Sequence, residues 1–416
     1  MLLSVLEVIV GLSNVILGVL LLFHVRSALR ATIGPCSQEP AQGNVAIMIP
    51  FFNEPHDTLI DALNAIEQQD YLGRIEIILV DDGSTNDTSV HVRRWLAQRR
   101  HWRYHLEVLE RNGGRKGKAL DIAMGLVSRM AEVVTVIDSD TLLAPSALQR
   151  AMDVLLQDER NVACCGLIIP MQRQGNLVEK LQYYEHTGFL LAVKHAQSKI
   201  GKVAVIAGAF SLHRTWALKE LGGWGQWLVE DVAWTWKALA NGYRIVYAED
   251  AIAYTVCPSS FTQLFRQRRR WARGKVEAVV AAWQTSRWQS VLLMPWTLLW
   301  GQISFLPCLL IAPALAWVPG SSGLAVMVTL NVGLMIVLYL LAHKRDPNHR
   351  RVARGARISA ALKATACNLL FDVINIPANL LGVVDGVCNR PKAWLTRLPH
   401  GAGNSASSPN DADAST

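Results

Sequence analysis

Charge is scarce in this chain. Asp, Glu, Lys and Arg make up 18 % of the residues, where an ordinary soluble domain carries roughly 25 %. Hydrophobic residues supply 51 %, which excludes a disordered chain, since disorder follows from too little apolar surface to bury. The glycines and prolines follow no collagen period. The seven cysteines are odd in number and form no C-x-x-C pair, and no His-rich ligand spacing accompanies them. That excludes a disulfide framework and the common zinc motifs, and reads as reduced thiols facing a cytosolic compartment. Cys164 and Cys165 stand in an apolar run, where core packing is the default. No internal repeat is present. The apolar start has no basic leader and no small-x-small cleavage site, so a secretory signal is disfavoured.

What is present is a membrane-protein composition wrapped around a soluble insert. The net charge of +8 comes from short basic clusters beside apolar stretches. That placement follows the positive-inside rule and not a nucleic-acid footprint, so no nucleic-acid partner is expected. Met1–Phe23 is interrupted only by Glu7 and is long enough to span a bilayer, with Arg26 and Arg30 marking the cytoplasmic side. Val291–Val318 and Gly320–Ala342 carry no charge, and a basic loop, His343–Arg357, follows them. Ile358–Val384 is apolar but contains Lys363 and Asp372, so it crosses, re-enters or lies against the bundle. Asp372 would have to face protein or a polar path. The domain reading is a transmembrane helix over 1–25, a cytosolic domain over 44–258, interfacial amphipathic helices over 259–290, a transmembrane region over 291–386 and a disordered tail over 401–416.

Within the insert, short β-branched runs alternate with helical stretches. The runs are Val45–Pro50, Ile75–Val80, Leu106–Glu110 and Val133–Asp138, and the helices fall near Thr58–Gln69, Thr88–Arg100 and Gly117–Met130. Continuous apolar strands between helices predict a parallel sheet covered on both faces, an α/β domain that binds ligands beyond the carboxyl ends of its strands.

Acidic pairs stand at those ends. Asp81-Asp82 follows Val80, and Asp138-Ser139-Asp140 follows Ile137. Either pair alone is explained by an Asx turn before a helix. Two pairs on strands of one sheet point further, to oxygen ligands for a hard divalent cation that bridges a diphosphate. Arg111–Ala119 opens a helix with glycines and four cations. It fails the Walker spacing, and reads either as a flexible basic linker or as an anion site at a helix N-terminus. Leu228-Val229-Glu230-Asp231 precedes an amphipathic helix over Val232–Asn241, so Asp231 is either its cap or a general base. Gln267-Arg268-Arg269-Arg270-Trp271 offers guanidinium forks for a pyrophosphate and a flat face for a sugar.

VAIMIPFFNEP, VDDGSTNDT, RKGKALDIAMG, VIDSDT, VED and QRRRW, in this order, resemble the membrane-bound family 2 glycosyltransferases, the processive inverting enzymes that include cellulose, chitin, hyaluronan and poly-N-acetylglucosamine synthases. The resemblance runs from about Val45 to Glu277, and EDVAWTWKAL with RQRRRWARGKVEA is most similar to the poly-β-1,6-N-acetylglucosamine synthases. Val229, where many members carry Thr, and a single N-terminal span depart from that subgroup. The resemblance implies a GT-A-type, Rossmann-like domain combined with transmembrane helices. It assigns UDP-sugar contacts to Asp81, Asp82, Lys118, Asp138 and Asp140, and Mg²⁺ or Mn²⁺ to Asp138 and Asp140. Asp231 would be the catalytic base with Glu230 beside it, and Gln267, Arg270 and Trp271 would line the acceptor and diphosphate.

The implied activity is processive polymerisation of a sugar from a UDP-sugar, N-acetylglucosamine foremost, into an exported extracellular polysaccharide at the plasma membrane. A growing polysaccharide acceptor, the lipid bilayer and a small accessory membrane subunit are the implied partners. The alternative is a non-processive family 2 enzyme that adds one sugar to a lipid carrier or headgroup. Product length separates the two.

Overall fold

The computed structural model describes residues 39–99, 103–291 and 354–390, together with the isolated positions 26, 293, 332–333, 336–337 and 339–340. The segment read as an N-terminal span, the tail after His400, and most of Val291–Arg357 lie outside the described residues.

Four strands follow the expected alternation. They are β1 (Val45–Phe51), β2 (Ile75–Asp81), β3 (Arg103–Val108) and β4 (Val133–Ile137), and they pair in parallel in the order β3-β2-β1-β4. The connecting helices are α1 (His56–Glu67), α2 (Thr88–Leu96) and α3 (Lys116–Leu126). Every residue of β1 and β4 is buried. Strand alternation sends Val45, Ile47 and Ile49 towards Leu59, Leu63 and Ile66 of α1, and Ala46 and Met48 towards Ala119, Leu120 and Ala123 of α3. Each such Ile or Leu removed from water stabilises the sheet by about 1.5–3 kcal/mol, which is why these strands carry no polar face.

Beyond β4 the sheet is mixed, and the all-parallel expectation stops there. After β5 (Thr141–Leu143) and α4 (Ala147–Leu156) comes the long strand β6 (Asn161–Met171). Next are α5 (Leu177–Tyr184), a π-helical turn (Glu185–Leu190) and α6 (Leu191–Lys199). Then follow β7 (Phe210–Arg214), α7 (Thr215–Glu220), α8 (Glu230–Ala240) and β8 (Arg244–Val256). The full order is β3-β2-β1-β4-β7-β6-β8-β5. β7 runs antiparallel to β4, with Ile137 opposite Phe210, so the loop that enters β7 reaches the edge where β1, β2 and β4 end.

Two long helices complete the described chain. α9 (Phe261–Thr285) is capped by Ser260, whose Oγ accepts from the Gln263 amide at 3.3 Å. α10 (Arg354–Val387) carries Pro377 in its interior and packs against α9. Gly382 lies against Ala272 and the Arg269 backbone, and Asp385 accepts from Arg269 Nε at 2.6 Å and Nη2 at 3.0 Å. Ile358–Val387 is long and apolar enough to cross a membrane, by length and composition. Thr365, Asn368 and Asp372 are buried, whereas Lys363, Leu370, Val373, Leu380 and Val384 are exposed.

Candidate active site

The first acidic pair divides its work. Asp81 closes β2, and its Oδ1 accepts from the Ser84 amide at 2.8 Å while its Oδ2 accepts from Ser89 Oγ in the first turn of α2. Both oxygens thus serve the loop itself. The Asp82 carboxylate differs: Oδ1 accepts from the Gly113 amide at 2.8 Å, but the buried Oδ2 has no hydrogen-bond partner. Burial raises its pKa, while the Gly113 amide and the nearby Lys118 charge oppose the rise. Gly83 makes this approach possible. Its φ of +74° suits glycine, and a Cβ there would sit 2.5 Å from the Arg111 carbonyl carbon. Asn112 Nδ2 donates to the Asp82 carbonyl at 3.0 Å, so the two loops form one rim.

The second acidic group ends β4. Ser139 Oγ donates to Glu54 Oε2 at 2.6 Å, and Thr255 Oγ1 donates to Asp140 Oδ1 at 3.3 Å. Asp138 Oδ1 is held by Lys116 Nζ at 2.5 Å. Asp138 and Asp140 offer only carboxylate oxygens, the donor set that Mg²⁺ and Mn²⁺ prefer. By that chemistry they fit a divalent ion, with the second oxygen of Asp138 turned to neither Lys116 nor a backbone amide in any bond described.

A third group gathers at the start of α8. Asp121 of α3 accepts from the Trp224 and Gly225 amides, each at 2.9 Å, and so ties the loop ahead of Glu230 to the helix that carries Lys116. Lys116 Nζ reaches Glu230 Oε1 at 3.5 Å and donates to the Gly208 carbonyl at 2.9 Å. Asp231 accepts from the Gly208 amide at 2.7 Å through Oδ2 and from the Val232 amide at 2.7 Å through Oδ1. The reversed direction of β7 is what delivers Gly208 to this edge. Asp231 sits inside the first helical turn and not at its cap, which is Val229.

Burial dominates the electrostatics of this cluster. It pushes Glu230 up to about 7, against the pull of Lys116 and with the push of Asp231. It also raises Asp231, which Lys116, the two amides and Arg270 hold back. Burial works against the charge on Lys116, yet Asp138, Glu230 and Asp231 outweigh it and hold the ammonium above its ordinary value. Arg270 is lowered by burial despite the attraction of Glu230, Asp231 and Asp138. Three carboxylates and two cations thus share one partly buried edge, and Asp231 is the carboxylate fixed by two backbone donors.

α9 brings its face to the same place. Gly274 lies where any Cβ would be 2.3 Å from Val229 Cγ2, and Glu277 Oε2 accepts from the Leu228 amide at 2.8 Å. One and two turns earlier on this face come Arg270 and Gln267. Arg270 Nε and Gln267 Oε1 are buried without hydrogen-bond partners. Together with Asp82 Oδ2 they are the orphaned polar atoms of the site, each able to accept or donate to an incoming ligand. Trp271 lies under the Arg268 guanidinium, with Cζ 4.3 Å from the ring centroid.

The structure therefore brings Asp138, Glu230, Asp231 and Arg270 together. Asp82 and Lys118 line the adjoining rim, and Asp81 supports it from behind. Lys116 and Gly208 had no role assigned from sequence. Lys116 stands in a run of four cations with nothing to single it out, one residue ahead of the helix expected from Gly117, and the structure makes it the first helical residue. Gly208 lies in an unremarked loop whose only signal is that it precedes a strand. A further trio, His56, Asp87 and His91, brings ligand atoms within 4.8 Å of one another. Its imidazoles stack at 3.9 Å.

Residues 40–274 match the family model described as glycosyltransferase like family 2. An N-acetylglucosaminyltransferase of Mesorhizobium japonicum is 29 % identical over 279 residues, covering 64 % of this chain and 64 % of the relative. A poly-beta-1,6-N-acetyl-D-glucosamine synthase of Staphylococcus epidermidis is 26 % identical over 237 residues, covering 57 % of this chain and 55 % of that one. The chain thus spans less than two thirds of the length of these curated relatives. Among solved structures, a mannosyltransferase of Pyrobaculum calidifontis in complex with GDP-Man and Mn²⁺ is similar in fold. Its TM-score is 0.60 at 18 % identity, covering 94 % of this chain and all of the other. The fold is that of the GT-A glycosyltransferases.

Proposed function

The chain belongs to the family 2 glycosyltransferases, and from that premise we propose that it is a processive, inverting N-acetylglucosaminyltransferase that builds an exported polysaccharide from UDP-N-acetylglucosamine. The observation that carries the proposal is the Asp231 carboxylate, half-buried, oriented by two backbone amides and placed beside Arg270 of the motif helix. An acceptor hydroxyl attacking the anomeric carbon must lose a proton as the glycosidic bond forms. Asp231 takes that proton, and its raised affinity for it suits the task. The bond from the anomeric carbon to the diphosphate breaks on the opposite face, so configuration inverts and no covalent enzyme intermediate forms. Arg270 meets the negative charge that develops on the leaving diphosphate. A Mg²⁺ or Mn²⁺ ion held by Asp138 and Asp140 would, when bound, neutralise diphosphate charge as a Lewis acid. Asp82 and Lys118 receive the nucleotide at the rim, Glu230 and Lys116 set the charge around the base, and Gln267 with Trp271 meets the acceptor.

The names of the relatives support N-acetylglucosamine as the transferred sugar. The buried Asn368 and Asp372 and the exposed leucines and valines of Ile358–Val387 support a helix in lipid, and with it a plasma-membrane enzyme whose catalytic domain is cytoplasmic. The charge-free stretches of the sequence and the implied accessory subunit belong to the same reading. The deciding experiment supplies labelled UDP-sugars one at a time to the purified chain in lipid, with Mn²⁺ or Mg²⁺ or with EDTA, and sizes the product. Metal-dependent long polymer from UDP-N-acetylglucosamine is expected. A one-sugar lipid product would make the enzyme non-processive, and undiminished activity in EDTA would remove the metal.

A further inference from the structure

Between α5 and α6 the backbone widens into the π-helical turn Glu185–Leu190. Such turns are rare and recur at functional sites, and the chemistry described above makes no use of this one. Its first residue, Glu185, is buried. Arg268 Nη1 donates to Glu185 Oε1 at 3.1 Å, and Nη2 donates to Oε2 at 2.6 Å. Arg268 is itself 6 % exposed and stands in α9 between Gln267 and Arg270. Its guanidinium covers Trp271 at 4.3 Å and lies 4.9 Å from the Phe371 ring of α10. An indole has two flat faces. Arg268 takes one, so a sugar ring can stack only on the other. The two-point bond to Glu185 fixes the plane of the guanidinium, which a lysine ammonium in its place would leave free to rotate.

We infer that Glu185 and Arg268 are positioning residues for the acceptor: the π turn presents Glu185, Glu185 sets the plane of Arg268, and Arg268 holds the Trp271 ring on which the acceptor sugar seats. The inference rests on the acceptor role proposed for Trp271. A buried ion pair also stabilises or destabilises a fold without touching function, and the two roles separate in their kinetics. Held only by packing, the domain would lose stability and nothing else would change selectively. Held as an acceptor platform, it would lose acceptor affinity while the donor side stayed intact.

The test uses the full chain in lipid, labelled UDP-N-acetylglucosamine and a short glucosamine-based oligosaccharide of varied concentration. Glu185→Gln and Arg268→Lys are compared with wild type for acceptor KM, donor KM, UDP affinity by calorimetry, and loss of donor to water. Acceptor KM is expected to rise about two- to thirtyfold, the range of one cation–π contact. Donor KM and UDP affinity should hold, and a larger share of donor should be lost to water. In a Trp271→Ala background, Glu185→Gln should add nothing further, because the ring it positions is gone. Unchanged acceptor KM in both variants overturns the inference, and so does loss of UDP binding in both, which would make the pair a folding element. Wild-type protein that transfers no sugar to any acceptor would instead overturn the underlying function.

Discussion

Residue by residue, the chemistry turns on which carboxylate is free to act. Asp81 spends both oxygens on its own loop, whereas Asp231 is held by backbone donors that cannot themselves take its proton. Asp231→Asn keeps the shape and removes the base. Transfer is expected to fall about 10²- to 10⁴-fold with UDP affinity preserved, read from initial rates and calorimetry on one preparation. The pH dependence follows from Glu230, raised by burial to about 7. Above that pH Glu230 is ionised, and its negative charge beside Asp231 favours proton uptake by the proposed base. As pH falls through about 7 Glu230 takes a proton and that support is lost, so kcat/KM should drop on the acid side. Glu230→Gln removes that titration and should move the acid limb to lower pH. A limb that stays near 7 in the variant would assign it elsewhere. Asp81, Asp82, Asp138 and Asp140 were legible because each pair stands at the end of an apolar strand, and Glu230 and Asp231 because they open a helix. Lys116 was not, since neighbouring cations are equivalent until a fold decides which one faces the carboxylates.

The elements show the same division between what patterning reveals and what only topology does. β1, β2 and β4 were readable because a strand buried on both faces must be a continuous apolar run. The helices between them were placed to within a few residues. β5 is three residues long and β7 is five with His213 buried inside it, so neither shows a period, and the antiparallel half of the sheet stayed hidden. That half matters, because it delivers Gly208 to Asp231. The other delivery is by α9, through the contact of Gly274 with Val229. Gly274→Ala would press a methyl against a side chain 2.3 Å away. Overpacking of this kind costs roughly 1–3 kcal/mol and should displace Arg270 from the base. A lower melting temperature is expected, with transfer falling more than UDP binding. Val229→Gly in the same chain removes both crowding atoms and should restore part of each. If the double variant is no better than Gly274→Ala alone, the contact is not what sets the distance between helix and base.

At the scale of the whole molecule, α9 joins the catalytic edge to the apolar helix. α9 presents Arg270 and Gly274 to the base on one face, and Arg269, Ala272 and Val276 to α10 on another. On α10, Asn368 and Asp372 point into protein while leucines and valines face outward, the reverse of a helix on a water-soluble surface. On the acceptor role proposed for Trp271, the acceptor leaves a ring covered by Arg268, whose guanidinium lies 4.9 Å from Phe371 of α10. On the proposed reading that polymer is exported, its way out runs alongside α10. In sealed vesicles bearing the domain on the outer surface and fed UDP-N-acetylglucosamine from outside, the product is thus expected inside. An external glycosidase should spare it until detergent is added. Product digested completely without detergent would leave the transferase intact as a conclusion and remove export, because the same helix contact would then serve only to tether the enzyme to the bilayer where its acceptor is found.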